Sequence, residues 1–198
     1  MVAPQKKKAP RKRDAAATKA AILGSARKAF AQNGYDSVGL REIAAGAGVT
    51  AMLVNRYFGS KEKLFAEVAE IASSSSRTIL TQENLSASDL AQRMATLLVD
   101  ITQANDTALE GFLITLRSAG SKEAAKIGRK LITNGNLKLL ADVLSGSHRQ
   151  ERAAVALSIV AGFQTMRQMI ALPALAEARP ETLREILTPL FEKLLRGA

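Results

Sequence analysis

The side chains best able to make directional contacts crowd into one short stretch, Leu40 to Lys61, LREIAAGAGVTAMLVNRYFGSK. It supplies Arg41, Thr50, Asn55, Arg56, Tyr57 and Lys61, a set rich in donors, with Glu42 as its one carboxylate. Asparagine pairs with adenine N6 and N7, arginine with guanine or a phosphate, and lysine with a phosphate as a point charge. For Arg41 a phosphate contact is favoured over base readout. Ala51 and Met52 offer only apolar contact, of the kind thymine methyl groups accept. Tyr57 suits a groove contact, but its ring is equally suited to closing a local core. This is chemistry for reading a nucleic-acid groove. Bond-making chemistry has no comparable set. There is no Cys, the lone His148 falls in the surface-loop sequence Ser145-Gly146-Ser147-His148, and no glycine-rich phosphate loop occurs. Neither a catalytic constellation nor a metal or cofactor is expected.

The stretch also dictates the elements that must position those groups. Ile43, Ala44 and Ala47 give a first helix one inward face. Gly48 follows where a left-handed residue ends a helix at little cost. Thr50 is a good N-cap for a second helix, Ala51 to Tyr57, whose inward side is Val54, Tyr57 and Phe58. Ala44 sits where the two helices cross, and its single methyl permits close approach. This is the helix-turn-helix pattern, in which the second helix enters the major groove.

Over Thr18 to Val68 the chain resembles the DNA-binding domain of the tetracycline-repressor (TetR) family. The residues that carry the resemblance are Asn33-Gly34-Tyr35, Arg41-Glu42-Ile43-Ala44, Ala47-Gly48-Val49-Thr50, Tyr57-Phe58, and Ser60-Lys61-Glu62 with Leu64. Asn55 and Met52 stand where many members carry Tyr and Gly, and Val38-Gly39 where many have Ser or Thr. Lys61 resembles the family's phosphate-contacting lysine. The resemblance implies a bacterial transcription regulator, most often a repressor, that binds a palindromic double-stranded operator as a homodimer and responds to a small-molecule effector. A cytoplasmic location is expected because no apolar core follows the basic N-terminus. The DNA contacts it implies are Arg41, Thr50, Ala51, Met52, Asn55, Arg56, Tyr57 and Lys61. A nonspecific architectural DNA-binding protein is the alternative, suggested by a basic N-terminal arm.

Charge distribution agrees with nucleic-acid contact at one end. Residues 1–66 hold 13 Lys/Arg and 4 Asp/Glu, net +9, whereas residues 67–198 hold 15 and 14, net +1. Residues 1–13, with KKK and RKR runs broken by Pro4 and Pro10, read as a disordered basic arm. Residues 14–60 read as the helix-turn-helix domain, and 61–198 as an effector-binding and dimerisation domain. No strand-period alternation persists, so the expected fold is all-α, with about nine helices. The longest uncharged apolar run, Ala153 to Met166, has 14 residues, too few to span a bilayer, so no membrane partner is expected.

In the C-terminal part, Ser86 or Ser88 is expected to cap the helix carrying Met94. Gly135 is expected to break the helix before Leu144, and Pro180 to open the last one, kinked at Pro189. The residues 153–170 are apolar nearly all round, which requires two packing partners. One is the chain's own core and the other a second subunit. The expected interface comprises Ala156, Leu157, Val160, Ala161, Leu183, Leu187, Leu190 and Phe191. The expected effector pocket comprises Met94, Leu97, Leu98, Ile101, Phe112, Leu116, Ile127, Leu131, Phe163 and Arg167. Few buried polar groups are evident, so a largely apolar effector fits best. Arg117 and Arg167 are candidates for an anion partner or a cross-interface ion pair.

Overall fold

The computed structural model describes residues 12–75, 79–103 and 110–196. The basic arm at 1–13 therefore lies, all but its last two residues, outside the described residues. Among these, every regular element is helical: α1 Lys12–Ser37, α2 Leu40–Gly46, α3 Ala51–Phe58, α4 Lys61–Ser75, α5 Gln82–Leu85, α6 Leu90–Ile101, α7 Glu110–Arg117, α8 Lys122–Ile132, α9 Lys138–Val143, α10 Arg149–Gln164, α11 Pro173–Ala176 and α12 Pro180–Arg196. Two π turns, Thr133–Leu137 and Thr165–Met169, come after α8 and α10. The segments exceed the expected nine because α5 and α11 are single turns and a π turn divides one helix. Gly135, with φ −100° and ψ −109°, is the non-helical residue in that turn.

The chain forms two compact units. The first holds the described residues up to Ala72 together with Phe112–Ala125. Its core is a triangle of rings from α1 and α4. Phe30 meets Phe65 edge-on at 5.1 Å, Tyr35 meets Phe65 edge-on at 5.0 Å, and Phe30 stacks on Tyr35 at 6.1 Å. Such pairings add to what area burial alone contributes. Ile22, Ala26, Ile43, Ala44, Val54 and Leu64 fill the space around the rings, all essentially buried. α1 continues past Asn33, but Gly34 kinks it at φ 72°. A Cβ there would lie 2.5 Å from the Arg117 carbonyl oxygen, so only glycine fits. The Arg117 guanidinium donates to the carbonyls of Ala31 at 2.5 Å and Gln32 at 3.0 Å. It thus satisfies helix-end carbonyls through Nη1.

The second unit holds Ser73–Gly111 and Lys126–Ala198, again as far as they are described. Its core runs along α6, which packs lengthwise against α12, with α9 and α10 alongside. Met94, Ala95, Leu98, Val99, Leu140, Ala153, Ala156 and Phe191 are fully buried. α6 starts after Asp89, whose carboxylate accepts from Arg93 Nε at 2.8 Å. Neither Ser86 nor Ser88 caps α6. Ser86 ends α5 instead, its hydroxyl donating to the Gln82 carbonyl at 2.9 Å. Pro180 opens α12, and Pro189 lies inside it.

Candidate nucleic-acid interface

The turn between α2 and α3 is held by backbone bonds the sequence makes possible. Ala47 and Val49 donate to the Ala44 carbonyl at 3.2 and 2.9 Å, and Gly48 takes φ 67°. Ala44 itself is buried at 2% exposure, so a larger side chain would push the helices apart. Ser25 on α1 donates to the Ile43 carbonyl at 2.8 Å and pins α2 from behind. Thr50 caps α3, its hydroxyl accepting from the Leu53 amide at 3.3 Å. α3 is anchored inward by Val54 and Phe58, both buried.

The outward side of α3 is the candidate interface. Met52 is 82% exposed, and Asn55 and Arg56 are exposed beside it. Arg41 is exposed on α2, while Ala51 and Tyr57 are half-buried. The Tyr57 ring tilts against Phe58 at 6.3 Å, so it serves partly as core. Ser60 caps α4 by accepting from the Lys63 amide at 3.2 Å, which puts Lys61 at the first turn. The Lys61 ammonium sits 4.3 Å from the centroid of the Tyr35 ring. An ammonium on a ring face is held in place without its charge being neutralised. The sequence did not single out Tyr35 for this, although it lies in the Asn33-Gly34-Tyr35 signature. Its phenol is held above its usual pKa by burial first, then by Glu62, Glu123 and Asp36. Glu67 on α4 pairs with Lys19 at 2.6 Å. The Lys19 ammonium lies 5.5 Å from the ring of the buried Phe58, on the inward side of α3.

The ten residues expected to wall an effector pocket fall in different surroundings. Met94, Leu98 and Ile101 are buried core of the second unit, with Leu97 and Phe163 packed against it. Ile127 and Leu131 are half-buried. Phe112 and Leu116 belong to the first unit. Arg167 is 7% exposed. Its guanidinium donates to the Val99 carbonyl at 2.7 Å, the Thr102 hydroxyl at 2.9 Å and the Leu175 carbonyl at 3.1 Å. It therefore closes the C-terminal end of α6, where the helix dipole favours a cation. Burial pulls its pKa down, partly offset by Asp100. Asp100 itself pairs with Arg184 at 2.7 Å.

The residues expected at a subunit interface divide the same way. Ala156, Leu183, Leu187 and Phe191 point into the chain's own core at 0–5% exposure. Leu157, Val160 and Ala161 are half-buried, and only Leu190 is well exposed. Among the large apolar side chains that do face outward are Val155 on α10, Met166 just after it, and Ile186 and Leu190 on α12, each 47–56% exposed. The second π turn explains part of this. Ile170 donates to Thr165 and Leu172 to Met166, both at 3.0 Å. One extra residue in the turn shifts the helical register, burying Arg167 and leaving Met166, Met169 and Ile170 outside.

Comparison with known proteins bears on both units. A family model described as bacterial regulatory proteins, tetR family, matches residues 22–68, and one described as tetracyclin repressor-like, C-terminal domain, matches 88–195. Among curated proteins none matches. Solved structures share the fold at low identity. A TetR-family regulator from Streptomyces coelicolor is 22% identical, covering 94% of this chain and 99% of that one, with a TM-score of 0.61. NalD, the secondary repressor of the MexAB-OprM multidrug efflux pump in Pseudomonas aeruginosa, is 21% identical over 93% and 98%, with a TM-score of 0.64. The multidrug binding protein EbrR, complexed with imidazole, is 18% identical over 100% and 99%, with a TM-score of 0.67.

Proposed function

We propose that this chain, which belongs to the tetR family of bacterial regulatory proteins, represses transcription by binding a palindromic operator as a homodimer. As a family member it is a DNA-binding transcription regulator and not an enzyme. The observation that carries the finer reading is the outward face of α3. It presents Asn55, Arg56 and Met52 beside the exposed Arg41 and the ring-held Lys61, with no carboxylate on α3. The same set arranges base-edge contacts between flanking phosphate contacts, which is how a recognition helix is used. Thr50, Ala51 and Tyr57 complete the contact set.

Dimerisation is supported by the exposed apolar side chains of α10 and α12. Val155, Ile186 and Leu190 form the proposed face, with Leu157, Val160 and Ala161 at its margin. Two-fold symmetry then requires two half-sites. We assign DNA binding to 14–60 and effector binding and dimerisation to 61–198, while the first compact unit also takes in residues up to Ala72 and Phe112–Ala125. A small, largely apolar effector is supported by the apolar character of Met94, Leu97, Leu98, Ile101 and Phe163, and by Arg167 donating to the Val99 and Leu175 carbonyls and the Thr102 hydroxyl. EbrR, of similar fold, is a multidrug binding protein. Effector binding would favour a state whose two recognition helices no longer match the operator spacing.

Selection of DNA from a random pool, followed by sedimentation of the complex, tests the reading. The expected outcome is an inverted repeat bound by two chains. An architectural protein would instead retain the pool without enriching any sequence.

A further inference from the structure

Met52 is an anomaly in the first unit. Ile71 of that unit is 37% exposed and its other large apolar side chains are buried or half-buried, yet Met52 stands 82% exposed at the second position of α3. Nothing in the chain's own fold requires a methionine there. Neighbouring charge says what could cover it. Arg41 and Arg56 are exposed nearby in sequence, Lys61 opens the next helix, and residues 1–66 carry net +9. An exposed apolar side chain on a helix of the basic half of the chain suits a polyanion that also displays an apolar group. In the major groove that group is the C5-methyl of thymine, the one methyl among the four bases.

We propose that Met52 is a specificity-determining residue that packs its thioether on a thymine methyl within the operator half-site. The inference rests on the operator reading above and adds the identity of one base. Its position fits, because first-turn residues of a recognition helix reach base edges. Methionine fits as well, since its unbranched, polarisable side chain adapts to a flat, shallow target. Asn55 lies three residues on, on the same side of the helix. It pairs with adenine, so the two residues together favour neighbouring A·T pairs. α3 carries no Asp or Glu to accept from cytosine N4, which removes one route to a G·C preference.

The test replaces thymine by uracil, which deletes that methyl and alters nothing else at the base edge. Full-length protein is first used to select its operator from a random pool, and each thymine of the half-site is then replaced in turn. At one position the wild type should lose about fourfold in affinity, the value of one buried methyl. In Met52→Ala that loss should vanish, the variant binding thymine and uracil operators alike and more weakly than wild type binds thymine. Arg56→Ala should keep the full uracil penalty, because it removes a different contact. The exposed position keeps Met52→Ala folded, and its helix content by circular dichroism checks this directly. A preferred operator whose thymines can all be replaced without loss overturns the thymine contact alone. A uracil penalty that persists in Met52→Ala assigns the methyl to another residue and overturns it too. A pool that enriches no sequence overturns the operator reading and this inference with it.

Discussion

The outward face of α3 and the outward face of α12 are both left uncovered by the described residues, but they are built oppositely. α3 carries one exposed methionine together with the exposed Asn55 and Arg56, and its unit carries the basic excess. α12 exposes Ile186 and Leu190 in a half of the chain that is close to neutral. A charged face keeps its water until a polyanion displaces counterions, so it is stable and soluble alone. An aliphatic face of that size has no such protection and calls for a like surface. On the proposed reading, one uncovered face is made for occasional occupancy by DNA and the other for permanent occupancy by a second copy.

The sharpest way to break this contrast uses two adjacent residues of α12. Leu187 is 5% exposed and Ile186 is 56% exposed. Leu187→Asp buries an unpaired carboxylate and should cost about 4 kcal/mol or more, read as loss of the folded baseline in urea. Ile186→Asp should change the chain's own folding by less than about 0.5 kcal/mol, yet convert a dimer to a monomer in sedimentation. If both variants unfold the chain, α12 has no separate outward face. If Ile186→Asp remains a dimer, the permanent partner lies elsewhere.

Gly34 tests whether the first unit is as self-contained as its charged face suggests. Gly34→Ala forces a side chain onto a φ of 72° and against the Arg117 carbonyl. A loss of about 2–3 kcal/mol is expected from strain and overlap together. Arg117→Ala should cost less, about 1 kcal/mol, by releasing the Ala31 and Gln32 carbonyls. Chemical denaturation of both variants orders the two effects.

On the DNA face, Asn55→Ala and Arg41→Ala separate reading from holding. Asn55→Ala should cost about 1–3 kcal/mol on the best operator and relax preference at one position. Arg41→Ala should weaken every sequence alike and lower the slope of log affinity against log salt by about 0.9. Binding titrations at several salt concentrations decide, and equal weakening of all sequences by Asn55→Ala would make Asn55 a phosphate contact.

The two faces also differ in how far the sequence disclosed them. Around α3 the local signals were decisive. Gly48, Thr50 and the small Ala44 each meet a local need that few residue types can meet, so the turn, the cap and the crossing were legible residue by residue. α12 was legible only as a stripe. Leu183, Ile186, Leu187, Leu190 and Phe191 recur at helical spacing, but a stripe that broad spans both the chain's own core and a partner. Only the packing of α6 divides Leu183, Leu187 and Phe191 from Ile186 and Leu190. The π turn at Thr165–Met169 was invisible for a related reason, because one inserted residue leaves the composition of an apolar helix unchanged. The position of Phe112–Ala125 in the first unit depends on a glycine's missing Cβ and a long arginine. Neither leaves a periodic trace.

The smallest expected effect separates the two cores by pH. The chain has two tyrosines, Tyr35 and Tyr57, and both lie in the first unit. Tyr35 is 8% exposed, and its phenol is raised above its ordinary pKa, burial being the largest cause. In the unfolded chain the same phenol ionises near its ordinary value, so above that pH the unfolded state sheds a proton the native state retains. Stability from this source is complete below about pH 10, and falls as pH rises through the folded value. Tyr35→Phe keeps the ring triangle and the face under Lys61 but removes the ionisation. Its unfolding free energy should match wild type within about 1 kcal/mol at neutral pH and decline less steeply on the alkaline side. Denaturation followed separately by tyrosine fluorescence and by total helicity would show the first unit loosening before the second. Parallel alkaline curves for wild type and Tyr35→Phe would mean that the phenol reaches water in the native state, and that the first unit's core is less closed than the second's.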